Sequence, residues 1–82
     1  MDLVELTKEI VTALAKDKDS ISVKEFETNE ENTILIEVMV SEEDIGRIIG
    51  KDGKNAHALR TLVQASSYLK DNKKVKINID KF

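Results

Sequence analysis

The chain has 82 residues, 40% of them apolar and 35% charged, which suits one small folded domain and not a disordered segment. It has no cysteine and one histidine, His57, which excludes a disulfide framework, a zinc ribbon and a thiol nucleophile. A multi-histidine metal site and a Ser/His/Asp triad are disfavoured for the same reason. The formal net charge of −3 argues weakly against a nucleic-acid partner, but the sum hides a split. Residues 1–44 carry 13 acidic and 4 basic side chains, whereas residues 45–82 carry 3 and 9. Local potential, not the total, steers partners.

Along the chain, Leu3, Leu6, Ile10, Ala13 and Leu14 recur at three- and four-residue steps and predict an amphipathic helix over 3–15. The start Met-Asp-Leu-Val-Glu-Leu lacks the basic-then-apolar pattern of a secretory signal, and no apolar run approaches the ~20 residues of a membrane span. A cytoplasmic location is expected. Residues 15–20 read as a polar loop. Ile21, Val23 and Glu25 alternate with Ser22, Lys24 and Phe26 as a half-buried strand, and Asn29-Glu30-Glu31-Asn32 turns it into Thr33–Val40, an almost unbroken apolar, β-branched run suited to a central strand.

Ser41 followed by Glu42, Glu43 and Asp44 predicts a serine-capped helix start. Gly50 and Gly53 keep that helix short. A second helix is expected from about Lys54 to Leu69, with Ala56, Leu59, Leu62, Val63 and Leu69 on one side. After the turn 70–73, Val75, Ile77 and Ile79 alternate with polar residues as a last strand. The order α-β-β-α-α-β predicts a two-layer α+β domain over residues 1–82. Its three-stranded mixed sheet is covered by three helices, and a right-handed crossover makes the last two strands parallel.

All three glycines, Gly46, Gly50 and Gly53, fall in the stretch Ile45–Arg60. Gly50-Lys51-Asp52-Gly53 joins the short helix to the long one, where a backbone without Cβ atoms and a helix N-terminus meet the cations Arg47, Lys51, Lys54 and Arg60. A sugar-phosphate chain suits that combination. Neither a Walker loop nor a Gly-x-Gly-x-x-Gly fingerprint is present, so nucleotide-cofactor readings fail and no cofactor is expected. No nucleophile–base–metal set can be assembled, so the chain is not read as an enzyme. His57 is read as a surface or groove-rim residue.

The run Ile48-Ile49-Gly50-Lys51-Asp52-Gly53 ahead of an Ala/Leu-rich helix resembles the K-homology (KH) domain, whose Gly-x-x-Gly loop clamps the backbone of about four nucleotides. The element order is similar to its type II variant, and Gly53–Leu62 resembles the small stand-alone bacterial KhpA family of KH-domain RNA-binding proteins. That resemblance implies a cytoplasmic RNA chaperone or post-transcriptional regulator. It also implies a homodimer, or a heterodimer with a larger multidomain KH protein (KhpB), and a link to cell-wall synthesis and cell shape. Carried onto this chain, the single-stranded-RNA site comprises Arg47, Ile48, Ile49, Gly50, Lys51, Asp52, Gly53, Lys54, Asn55, Ala56 and Arg60, with Ile45, Ile48, Ile49 and Ala56 contributing to the apolar groove, although the three isoleucines, in a short packed helix, are read as core before ligand-facing. Asp52 departs from the family pattern: a carboxylate there repels phosphate unless it caps the next helix. No aromatic residue lies near the loop in sequence, so weak intrinsic affinity is expected.

The long helix carries more apolar surface than one core face needs, and Ala58, Leu62, Ala65 and Leu69, with Tyr68 nearby, form a candidate dimer face. Weak single sites would gain from two clamps on one strand. The rival reading is a protein-interaction module of the same fold, with the glycine loop serving as scaffold only.

Overall fold

The structure, a computed structural model, describes residues 2–82. It contains α1 (Leu3–Leu14), β1 (Ile21–Glu27), β2 (Thr33–Val40), α2 (Ile45–Ile49), a 3-10 turn (Lys51–Gly53), α3 (Lys54–Lys70) and β3 (Lys74–Lys81). The sheet order is β1-β2-β3, with β1 antiparallel and β3 parallel to the central β2. The chain has the KH-type α+β architecture expected, a mixed three-stranded sheet with helices against one face.

Register explains which residues make the core. Ile34, Ile36, Val38 and Val40 of β2 stand opposite Glu27, Glu25, Val23 and Ile21 of β1, and the first three opposite Val75, Ile77 and Ile79 of β3. This is the face the helices cover, and Ile36, Val38 and Val40 are wholly buried there. Each such side chain contributes about 1.5–3 kcal/mol by leaving water. The other face presents Lys24, Phe26, Leu35, Lys76 and Asn78, and Phe26 stays 44% exposed beside Leu35. A second layer is therefore absent from that side among the described residues.

Three expectations shift. The buried line of α1 is Leu3-Thr7-Val11, continued by Ala15, while Leu6, Ile10 and Leu14 lie at its margin and Ala13 is exposed. Thr7 is tolerated in the core because its hydroxyl donates to the Leu3 carbonyl at 2.7 Å. Asp2 caps this helix, accepting from the Glu5 amide at 2.8 Å; the Asp-x-x-Glu spacing is its sequence signal. Ser41 does not cap α2 with its side chain. The helix begins at Ile45, and the Ser41 carbonyl accepts from the Asp44 and Ile45 amides at 3.0 and 3.1 Å. Finally, Leu62 and Leu69 are not core residues: α3 buries Ala56, Leu59, Val63 and Ser67, and leaves Leu62 54% and Leu69 88% exposed.

Candidate functional site

The glycine loop sits where α2 stops and α3 starts, and its conformation follows from its glycines. The Gly50 amide closes α2 on the Gly46 carbonyl at 2.8 Å. Gly50 itself adopts φ 77°, ψ 170°, which a side chain makes strained. The Gly53 amide then donates to the Gly50 carbonyl at 3.1 Å, and Asp52 and Gly53 both take left-handed conformations, φ 56° and 74°. The amide of Asn55 locks this turn: its Nδ2 donates to the Arg47 carbonyl at 2.9 Å. A Cβ on Gly50 would lie 2.8 Å from Asn55 Cγ, so the side chain of Asn55 is packed directly on the glycine.

The loop is also fixed to the rest of the fold by a buried carboxylate. Asp44, 1% exposed, accepts the amides of Lys16 and Asp17 at 3.0 and 2.9 Å, and Arg47 Nε stands 3.7 Å from it. These two amide bonds, with Arg47 adding to them, hold the Asp44 carboxyl below the usual aspartate range. The α1–β1 connection and the start of α2 are thereby joined through one side chain. In the sequence Asp44 reads only as a helix-start charge, because nothing local marks a partner 27 residues away.

The structure places the predicted site residues in different surroundings. Lys51, Asp52 and Lys54 are exposed, and among the described residues neither lysine forms an ion pair. Arg47 is about half exposed and Ile49 is 38% exposed, so both reach the surface beside the loop. Ile48 and Ala56 are 0% and 4% exposed, Ile48 within the core cluster, so neither presents side-chain surface in this structure. Ile45, half-buried, packs against the same core. Asn55 holds the loop's shape. Asp52 does not cap α3, whose N-cap is Gly53 with no side-chain cap hydrogen bond, and Asp52 is exposed.

Arg60 lies farther along α3, its Nη2 donating over a long 3.4 Å to the Ile77 carbonyl of β3. That contact shows a feature absent from the sequence pattern. Lys74 and Phe82 donate inward, to the Asn32 carbonyl just before β2 and the Val40 carbonyl at its end. The Val75 amide and the Ile77 carbonyl point outward, so odd-numbered residues of β3 face the open sheet edge. Gln64 covers the start of that edge like a missing strand: Oε1 accepts from the Val75 amide and Nε2 donates to the Lys73 carbonyl, both at 2.9 Å. Ser67 Oγ adds a bond to the same carbonyl at 2.6 Å. Arg60 follows Gln64 along the edge, and among the described residues no strand lies beyond it at Ile79.

The proposed dimer face is split by the same geometry. Ala58 and Leu62 face a groove shared with Ile10, Ala13 and Leu14 of α1. Ala65 and Tyr68 turn toward β3.

A profile described as the KH domain of KhpA and KhpB matches residues 4–79. Among curated relatives, RNA-binding protein KhpA of Caldanaerobacter subterraneus subsp. tengcongensis is 43% identical over 75 residues, covering 92% of this chain and 96% of that protein. RNA-binding protein KhpA of Clostridium perfringens is 44% identical over 75 residues, covering 88% and 97%. Among solved structures, a single-residue variant of Aquifex aeolicus Era bound to GDP·AlF4⁻ superposes with a TM-score of 0.73 at 22% identity, over 98% of this chain and 30% of Era. Era in complex with MgGDPNP and nucleotides 1506–1542 of 16S ribosomal RNA gives 0.68 at 23% identity, over 96% and 29%. At these identities the Era matches speak to the fold.

Proposed function

This chain belongs to the KhpA/KhpB KH-domain family, and from that premise we propose that it binds single-stranded RNA by clamping the sugar-phosphate backbone at Gly50-Lys51-Asp52-Gly53. The observation that carries the reading is the loop itself: a turn held open by Gly50 and Asn55, with two exposed lysines that form no ion pair among the described residues, at the N-terminus of a 17-residue helix without a side-chain cap hydrogen bond. Backbone recognition follows from that geometry, because phosphate oxygens meet lysine charge and helix dipole together while the glycines admit a second backbone. Asp52 opposes the ligand and keeps single-site affinity low.

The apolar ridge Ala58, Leu62 and Leu69 of α3, with Ile10, Ala13 and Leu14 beside its first part, supports docking of a second copy or of a larger multidomain KhpB-type relative. Pairing would place two clamps on one strand. A role as RNA chaperone or post-transcriptional regulator in the cytoplasm, and in cell-wall and cell-shape control, is proposed on family membership alone.

Binding of a labelled single-stranded RNA pool, measured against salt for the wild type and Lys51→Asp, tests the clamp. Log affinity should fall linearly with log salt, at a slope of roughly −0.7 for each phosphate neutralised. Lys51→Asp should bind more weakly with a shallower slope and unchanged helicity. Salt-independent binding that the substitution leaves intact would refute the proposal.

A further inference from the structure

A groove separate from the loop's own surface lies on α3. It runs down the outer flank of α3 against the start of β3, has a volume of about 450 Å³, and is lined by His57, Arg60, Thr61, Gln64, Tyr68 and Val75 among others. His57, Thr61, Gln64 and Tyr68 follow one another at steps of four, three and four residues, the spacing of a single helix face. His57 and Tyr68 are exposed, Tyr68 at 56%.

Two properties set this groove apart. It offers a cation and no carboxylate, whereas other surface grooves are lined by Glu5 and Glu9, by Asp2, Glu25 and Asp71, or by Glu27, and the groove of Ile10, Leu14 and Leu62 carries no charged side chain at all. It also begins one turn past the loop on the same helix, since His57 follows Lys54 by three residues on α3. From Lys54 to Tyr68 is 14 residues, hence about 21 Å of helix. At about 3.4 Å per nucleotide of a stacked strand, that length matches roughly six nucleotides, more than the about four a glycine loop holds.

We propose that single-stranded RNA leaving the glycine loop continues along this groove, its phosphates passing Arg60 and a base stacking on the ring of Tyr68. The assignment rests on the RNA reading above and extends it. Charge fits the occupant, because the groove offers a guanidinium with no opposing anion. The aromatic platform that the loop lacks is supplied one helix length away, where sequence proximity could not show it.

Tyr68 is the sole tyrosine and tryptophan is absent, so intrinsic emission reports on this ring alone. Oligoadenylate RNAs of about four and about eight nucleotides are titrated into the wild type, Tyr68→Phe, Tyr68→Ala and Lys51→Asp. The longer strand should quench wild-type emission and bind about tenfold tighter than the shorter one. Tyr68→Ala should lose that length gain, with unchanged circular dichroism and sedimentation, and Tyr68→Phe should keep it. If binding remains salt- and Lys51-dependent but RNA leaves wild-type emission unchanged and Tyr68→Ala keeps the length gain, the groove assignment is wrong and the clamp stands. A changed sedimentation coefficient in Tyr68→Ala would assign the ring to a protein interface and likewise overturn it. If neither strand binds the wild type, the RNA reading falls and this proposal with it.

Discussion

The three glycines make distinct demands, and alanine at each should have a different consequence. At Gly50, φ 77° and ψ 170° cost an alanine about 1–3 kcal/mol. Its Cβ would also sit 2.8 Å from Asn55 Cγ and 3.0 Å from Asn55 Cβ, forcing that side chain off the Arg47 carbonyl. Losing the hydrogen bond adds about 1 kcal/mol, for a total of about 2–4 kcal/mol. At Gly53 the φ of 74° is left-handed but the Cβ would meet nothing within 4 Å, so the cost is about 1 kcal/mol. Gly46 lies inside α2 with open space around it, and alanine there should stabilise by about 0.5–1 kcal/mol. In a domain of this size 1 kcal/mol moves Tm by roughly 4–8 °C. Thermal melts followed by circular dichroism should therefore place Gly46→Ala a few degrees above the wild type and Gly53→Ala roughly 5 °C below it. Gly50→Ala should fall roughly 10–20 °C below. Equal melting of Gly50→Ala and Gly53→Ala would show that Asn55 does not lock the loop. RNA affinity should drop in Gly53→Ala while the domain stays folded, because the added methyl group faces the ligand side alone.

Asp44→Asn should destabilise the fold at neutral pH, since its amide nitrogen cannot accept from the Lys16 or Asp17 N–H. The folded carboxyl titrates below the unfolded value of about 3.9, so its stabilisation is present above that pH and is lost as pH falls through the folded pKa. Urea midpoints of wild type and variant should consequently converge in acid; a gap constant from neutrality to below pH ~3 would contradict the assignment. Gln64→Ala should cost about 1–2 kcal/mol and speed exchange of the Val75 amide, which donates to its side chain. Slow exchange at Val75 in the variant would mean that the edge is protected by something else. Leu62→Asp should convert a dimer to a monomer in sedimentation velocity, and a variant that remains dimeric rules out the α3 ridge as the interface.

Much of the site is legible in the sequence because its chemistry is local. Glycine spacing, the cations around it and the switch from a short helix to a long one lie within 16 consecutive residues, Ile45 to Arg60. Lys51 and Lys54 are exposed, and among the described residues neither forms an ion pair. Ile48 and Ala56 escape a sequence reading for a definite reason. The short helix ahead of the loop has one face toward the core and one toward the surface, and isoleucines on either face look the same in sequence; Ala56, on the first turn of α3, is small enough to suit either side. Asp44 escapes it for the converse reason, since its partners are amides 27 and 28 residues away.

Local patterning determined by itself the number and order of the elements, the central place of Thr33–Val40 and the existence of a glycine loop in a basic half. Periodicity, turn residues and charge are properties of neighbours along the chain. Tertiary structure alone decided which faces are covered. Leu62 and Leu69 sit on an apolar stripe yet face solvent, whereas Thr7 and Asp44 are polar yet buried, because burial depends on what packs opposite and on whether each polar group finds a donor or acceptor. Docking α3 against β3 is also what closes part of the sheet edge with Gln64 and brings Arg60 and Tyr68 into one groove.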